Sequence, residues 1–171
     1  MNKTNNKQFE KYEKEIKPLF PDTEHKKIDL NEEFKNVDFF YQGVRKAKFL
    51  GSKLNIFTFM CYVPKIDKKL LESYFDLCTD KSNVNFLNTF LFGGIVAGVD
   101  MCVSVLVSEN IDDDAISTCL KTKKARNKTL FEGAIYDLSS QTLYRKKTSN
   151  IIGFAFNSFR NEYVSKFDIK I

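Results

Sequence analysis

The sequence predicts a single α+β domain with a mixed or antiparallel sheet of about six strands, helices mainly on one face and an N-terminal amphipathic helix. Three observations support this fold class. The chain has 171 residues, the usual length of one compact domain. Residues 54–63 and 101–107 are continuous apolar runs, as in central strands that are buried on both faces. Other apolar residues recur at the period of an amphipathic helix.

The predicted N-terminal helix covers residues 8–19. Its apolar positions, spaced three or four residues apart among Lys and Glu, are Phe9, Tyr12, Ile16 and Leu19. Residues 22–35 are charged and have no clear period. The sequence therefore predicts an N-terminal helix with a charged linker (residues 1–35) and an α+β domain (residues 36–171). We expect this helix to dock on the body through Phe9, Tyr12 and Ile16. Because the linker would also let the helix swing away, we expect that its four apolar residues can instead bind a partner or a second copy of the chain.

The first half of the body is predicted to contain strands and one helix. The strands are residues 37–41, 44–50 and 54–63, and Gln42 and Gly43 separate the first two. Asp67 is placed to cap the helix, because an aspartate accepts hydrogen bonds from free N–H groups of the first turn. The apolar stripe of this helix is Leu70, Leu71, Tyr74, Phe75 and Cys78. Residues 84–98 fit either a helix or its termination at paired glycines.

The second half is predicted to contain a central strand, a helix and antiparallel sheet. The central strand is the β-branched run 101–107. The helix begins at the aspartates 112–114, whose negative charge suits its positive end, and it ends near residue 120. The later strands are residues 129–136, 143–147, 151–159 and 163–171, with a polar turn at 137–141.

Part of this succession resembles a known arrangement. The strand GVDMCVSVLV, a helix and then the hairpin EGAIYDLSSQTLYRK, with an Asp at its turn, are similar to CsgG-like and TolB-N-like bacterial envelope domains. The resemblance implies an order of elements, namely strand, helix and hairpin.

The cysteines are predicted to be buried free thiols. Cys61, Cys78, Cys102 and Cys119 each lie in or beside an apolar run, and no two form a Cys-x-x-Cys pair. No disulfide is therefore expected. Because the first residues are polar rather than a secretory signal, the chain is predicted to be soluble and cytoplasmic. Polar residues and glycines interrupt the apolar stretch 86–107, so no transmembrane span is expected.

Positive charge is gathered in the last third of the chain. Residues 121–171 contain 11 Lys or Arg against 4 Asp or Glu, whereas residues 1–120 contain 16 against 18. Two clusters supply most of the excess: Lys121, Lys123, Lys124, Arg126 and Lys128, and then Arg145, Lys146 and Lys147. If both meet at one edge, they form a surface for nucleic-acid phosphates or another anionic surface. The competing interpretation is that these lysines maintain solubility and discourage edge pairing.

Other polar groups have structural explanations. The glycine segment 93–98 lacks the Lys and Ser/Thr of a phosphate-binding loop. Glu109 with the aspartates 112–114 lacks the spacing of a calcium loop and suits helix capping, so no metal or cofactor is expected. His25, the only histidine, lies in the charged linker away from the apolar elements, so we expect it to be exposed to solvent rather than to act as a catalytic base. Asp100 lies between two apolar segments and is the single candidate catalytic group, as a general acid or base. The alternative is that it accepts hydrogen bonds of a turn at the start of a strand.

Because no catalytic constellation emerges, the sequence favours a non-catalytic binding or adaptor protein that acts through protein–protein contacts or self-association. The first alternative is binding of nucleic acid or an anionic surface by the basic last third. The second alternative is a small enzyme with a pocket beside Asp100 and the glycine segment 93–98.

Overall fold

The computed structural model describes residues 6–20, 39–49, 52–92, 99–122, 125–126, 129–147 and 154–171, with side chains in 6–20, 56–80, 101–122, 130–147 and 157–171. It confirms the α+β class and a mixed sheet. The helices are α1 (Lys7–Ile16), α2 (Lys68–Phe92), α3 (Asp113–Lys121) and α4 (Phe154–Ser165), with a 3₁₀ turn at Lys17–Leu19. The strands are β1 (Phe39–Phe49), β2 (Ser52–Tyr62), β3 (Val99–Ser108), β4 (Ala125–Arg126), β5 (Thr129–Asp137) and β6 (Thr142–Arg145).

The four strands of nine or more residues lie side by side in the order β1, β2, β3, β5, with β1 at one edge of the sheet. β1 pairs antiparallel with β2, whereas β3 runs parallel to both β2 and β5. The short strands β4 and β6 each pair antiparallel with β5. This order explains the continuous apolar composition of β3, because a strand between two parallel neighbours is covered on both faces.

β1 is one continuous strand. The prediction that Gln42 and Gly43 separate two strands was wrong, because the ladder with β2 runs without interruption and pairs Gly43 with Thr58. A glycine weakens a strand but does not end it when a hairpin partner supplies the hydrogen bonds.

Helices cover both faces of the sheet, so the prediction that they lie mainly on one face was wrong. α2 and α3 each connect parallel strands, β2 to β3 and β3 to β5, and right-handed crossovers in the same direction place both helices on one face, named face B. α1 and α4 cover the opposite face, named face A. Neither of these two helices connects parallel strands, so crossover handedness does not confine them to face B.

The last residues form a helix where two strands were predicted. The prediction of strands at 151–159 and 163–171 was wrong, since α4 occupies 154–165 and the described ladders include none of residues 166–171. Side chains that pack on face A recur every four residues, and they are Phe159, Tyr163 and Phe167. This helical period outweighs the alternation in the last five residues, which begins only after the helix ends.

α2 begins at its predicted cap. Asp67 Oδ1 accepts a hydrogen bond from the Leu70 backbone N–H at 2.8 Å. The helix then continues to Phe92, through the first part of the stretch that the sequence left open between helix and termination. Among the described residues, no helix is both long enough and apolar enough to cross a membrane.

The elements β3, α3, β5 and β6 follow the order strand, helix and hairpin that the resemblance implied. Asp137 forms the predicted polar turn by accepting hydrogen bonds from the backbone N–H groups of Ser139 and Ser140. Asp112 precedes α3 as predicted, but its carboxylate makes no capping hydrogen bond. It instead forms an ion pair with Lys65 Nζ at 3.0 Å.

Candidate functional site

α1 lies on face A in a groove lined by Tyr62, Tyr136, Tyr163 and Phe167, named the α1 groove. Phe9 stacks on Tyr62 with ring centroids 5.0 Å apart, and Tyr12 stacks on Tyr136 at 4.1 Å. Three of the four residues predicted to bind a partner, Phe9, Tyr12 and Ile16, are at most 5% exposed here. In this conformation they pack on the chain's own body.

Two polar side chains fix the position of α1 in the groove. Asn6 Oδ1 accepts hydrogen bonds from the first turn of the helix, while its Nδ2 donates to Tyr62 OH at 2.6 Å and to Glu109 Oε1 at 2.9 Å. Tyr12 OH donates to the Phe167 carbonyl at 2.9 Å. Burial raises the pKa of Tyr12 well above its usual value, so the hydroxyl keeps the proton that it donates.

The fourth predicted residue, Leu19, is 36% exposed, and Phe20 lies in the groove instead. The Phe20 ring centroid lies 5.3 Å from that of Tyr163 and 5.0 Å from that of Phe167. The chain passes from α1 into a 3₁₀ turn, whose tighter winding changes which residue faces the body. The sequence held a signal for Phe20, because it follows Ile16 by four residues and continues the apolar stripe.

One residue of each predicted basic cluster lies in a short strand on the same side of β5, namely Arg126 in β4 and Arg145 in β6. β4 pairs Ala125 with Leu130, and β6 pairs Arg145 with Ala134. β3 pairs with Leu130 and Ala134 on the other side of β5. β4 and β6 therefore both lie on the side of β5 that faces away from β3, which is its outer side. Since Ala134 lies four positions after Leu130 in the strand, the nearest pairs of the two short ladders are about 13 Å apart. Lys121, Arg126 and residues 145–147 are named the cationic edge.

Within the cationic edge, Lys121, Lys146 and Lys147 are exposed. Arg145 is half-buried, and its Nη1 donates a hydrogen bond to Asn161 Oδ1 on α4 at 2.8 Å. Burial lowers the pKa of Arg145 from its usual value, and the negative charge of Asp168 acts in the opposite direction. The backbone of Arg126 lies in β4, but its side chain and all of Lys123, Lys124 and Lys128 lie outside the described residues.

A buried polar layer lies between α4 and the sheet, and the sequence analysis missed it. Arg160 on α4 forms an ion pair with Glu132 on β5, and the two residues are 5% and 4% exposed. Tyr163 OH lies 2.8 Å from Thr58 Oγ1 on β2. Desolvation lowers the pKa of Arg160 from its usual value. The signal for this layer was Glu132, a charged residue inside an otherwise apolar strand.

All four cysteines are free and buried, which confirms that prediction. Burial raises the pKa of Cys78 well above its usual value and that of Cys119 to about 12. The thiols of Cys78 and Cys119 are therefore protonated at neutral pH and unsuited to nucleophilic attack. Among the residues whose side chains are described, no group of three or more His, Cys, Asp or Glu is arranged to hold a metal ion.

The remaining predicted features lie largely outside the described residues. Asp100 pairs with Asn55 near the start of β3, but nothing is described of its side chain. The glycine segment 93–98 and His25 also lie outside them. The pocket beside Asp100 therefore stays a prediction. No protein-family model matches this chain, and no curated protein or solved structure is significantly similar to it.

Proposed function

We propose that this chain is a non-catalytic binding protein that acts through protein–protein contacts, with α1 as the exchangeable element. In this proposal α1 leaves its groove and packs on a partner. An amphipathic helix of the partner, or α1 of a second copy, then occupies the α1 groove.

The attachment of α1 carries the proposal. No backbone-to-backbone hydrogen bond joins residues 6–20 to another described segment. The hydrogen bonds described between this segment and the rest of the chain each involve a side chain, as at Asn6 and Tyr12. Release of α1 would therefore break no ladder of the sheet. Docking of such an element is a local equilibrium, with a smaller free energy than global unfolding.

The chemistry of α1 also suits exchange. Its buried residues Phe9, Tyr12 and Ile16 have the i, i+3, i+7 spacing of helices that bind in grooves, and two of them are aromatic anchors. The opposite surface is charged and exposed, with Lys7, Glu10, Lys11, Lys14 and Glu15. The same helix would therefore remain soluble while it is out of the groove.

The proposal is tested by competition with α1 in trans. A fluorescent peptide of residues 6–20 is titrated with the full chain, and its anisotropy is measured. We expect saturable but weak binding, because the peptide competes with a tethered helix whose effective concentration is on the order of 1 mM. A full chain with Phe9→Ser and Ile16→Ser, which weaken its own docking, should bind the peptide at least about tenfold more tightly.

Two peptides serve as controls. Tyr12→Ala in the peptide removes a groove contact and should abolish binding, whereas Lys11→Ala changes an exposed residue and should leave binding unaltered. Absence of peptide binding to the Phe9→Ser, Ile16→Ser chain, with the sheet still folded by circular dichroism, would rule out exchange at this groove.

A further inference from the structure

We propose that the cationic edge binds nucleic acid through its phosphate backbone. This surface lies at the outer side of β5 and does not depend on release of α1.

The sheet brings together residues that are distant in sequence. Residues 121–128 and 145–147 contain eight Lys or Arg and no Asp or Glu. β4 and β6 place parts of both clusters along one side of β5, with their ladders about 13 Å apart. The backbones of Arg126 and Arg145 therefore lie along one strand, and the exposed Lys146 and Lys147 follow Arg145. A linear array of cations matches a chain of phosphates and gains affinity from the release of counterions.

One cationic group of the edge is held in place before any ligand binds. Arg145 donates to Asn161 on α4, so its guanidinium is oriented by the body of the protein. A fixed guanidinium loses less rotamer entropy on binding a phosphate than a free side chain does. Lys146 and Lys147 follow Arg145 in the chain and are exposed.

The same edge is poorly suited to an added peptide strand. The described ladders on the outer side of β5 occupy residues 129–130 and 134–137. Between them, the Phe131 carbonyl accepts a hydrogen bond from Arg160 Nη2 at 3.5 Å, and the Gly133 carbonyl accepts one from Cys119 Sγ at 3.7 Å. Too little of this edge is open for an acidic peptide to extend the sheet.

An anionic membrane fits the edge less well than a phosphate chain. Stable attachment to a bilayer generally needs apolar insertion in addition to a basic patch. Of the large apolar side chains described, only Leu19 and Leu120 are classed as exposed, and only Leu120 lies beside the cationic edge.

The test is the binding of fluorescent oligonucleotides of about 20 nucleotides, single-stranded and duplex, measured by anisotropy across a salt series. We expect affinity to fall steeply as salt increases. The variant Lys146→Glu, Lys147→Glu should bind at least about tenfold more weakly and lower the slope of log affinity against log salt by about 2. Binding to vesicles that contain phosphatidylserine and binding to free inorganic phosphate are measured in parallel.

The matched control is Lys68→Glu, Lys69→Glu, which reverses two exposed lysines in the first turn of α2. It makes the same change in net charge, and negative charge is tolerated at a helix N-terminus. This control should retain the wild-type affinity and salt slope. An equal loss in both variants, binding that is independent of salt, or binding to vesicles without binding to either oligonucleotide would overturn the proposal.

Discussion

At Gly133 in β5, face B leaves no room for a side chain. An ideal Cβ on this residue would lie 2.5 Å from Phe75 Cζ and 2.9 Å from Phe131 Cε1. The two rings are 1% exposed and pack edge to face with centroids 5.1 Å apart. Because neither ring can move toward solvent, glycine here serves the close approach of α2 to the sheet.

We therefore expect Gly133→Ala to lower the free energy of unfolding by about 1–3 kcal/mol, because the added methyl overpacks a filled site. Urea unfolding followed by circular dichroism measures the change. The sign of this change in unfolding free energy is informative. Replacing glycine by alanine at an unstrained position with open space usually stabilises a protein by about 0.4–1 kcal/mol. A stabilised variant would mean that Phe75 does not lie over Gly133.

At the scale of the element, α4 is positioned by polar as well as apolar contacts. Arg160 reaches Glu132 on β5, Tyr163 reaches Thr58 on β2, and Asn161 reaches Arg145 on β6. Apolar side chains alone would allow the helix to rotate or slide on face A. The polar contacts reach three strands, so they select one position of the helix.

A double-mutant cycle on Glu132 and Arg160 measures this effect. Arg160→Met should destabilise the chain by about 3–5 kcal/mol, because it leaves a buried carboxylate without its cation. The double variant Glu132→Gln, Arg160→Met should cost less than the single one, since no uncompensated charge remains. Urea unfolding of the four proteins gives the coupling energy.

The exposed ion pair of Lys65 and Asp112 is the control for this cycle. Its side chains are 53% and 43% exposed, so solvent screens the attraction, and we expect a coupling below about 1 kcal/mol. Equal coupling energies in the two cycles would show that the pair of Glu132 and Arg160 is not buried as described.

At the scale of the whole molecule, all four cysteines belong to the core on face B. Cys61 and Cys102 come from β2 and β3, and Cys78 and Cys119 come from α2 and α3. Both sides of the interface between the sheet and the crossover helices therefore carry thiols. Their reactivity reports on the integrity of that interface as a whole.

We expect none of the four thiols to react with an aromatic disulfide reagent at pH 8 in the native chain, and all four to react in urea. Absorbance of the released thiolate measures both reactions. Rapid reaction with the reagent in the native chain would contradict the burial of these residues.

The stability of the chain should also depend on pH through Cys119. An unfolded cysteine titrates near pH 8.5, whereas the pKa of folded Cys119 is about 12. Above about pH 8.5 the unfolded state therefore loses this proton first, and the free energy of unfolding should fall as the pH rises toward 12.

The sequence by itself determined the features that depend on neighbouring residues. The period and length of the apolar runs were sufficient to predict the central strands β2 and β3 and the start of α2. A polar turn was sufficient to predict the hairpin of β5 and β6. Asp67 was recognisable as a cap because capping involves only the next three residues. Burial of the cysteines followed from the apolar runs around them.

The tertiary structure decided what depends on residues far apart in the chain. Crossover handedness placed α2 and α3 on one face, which left the other face for α1 and α4. The last residues had competing periods of two and four, and packing on face A selected the helix. Pairing with one side of β5 placed Arg126 and Arg145, one from each basic cluster, along the same strand, because β4 and β6 both need the outer hydrogen bonds of β5. Local patterns contain none of this information, since it arises only when the sheet forms.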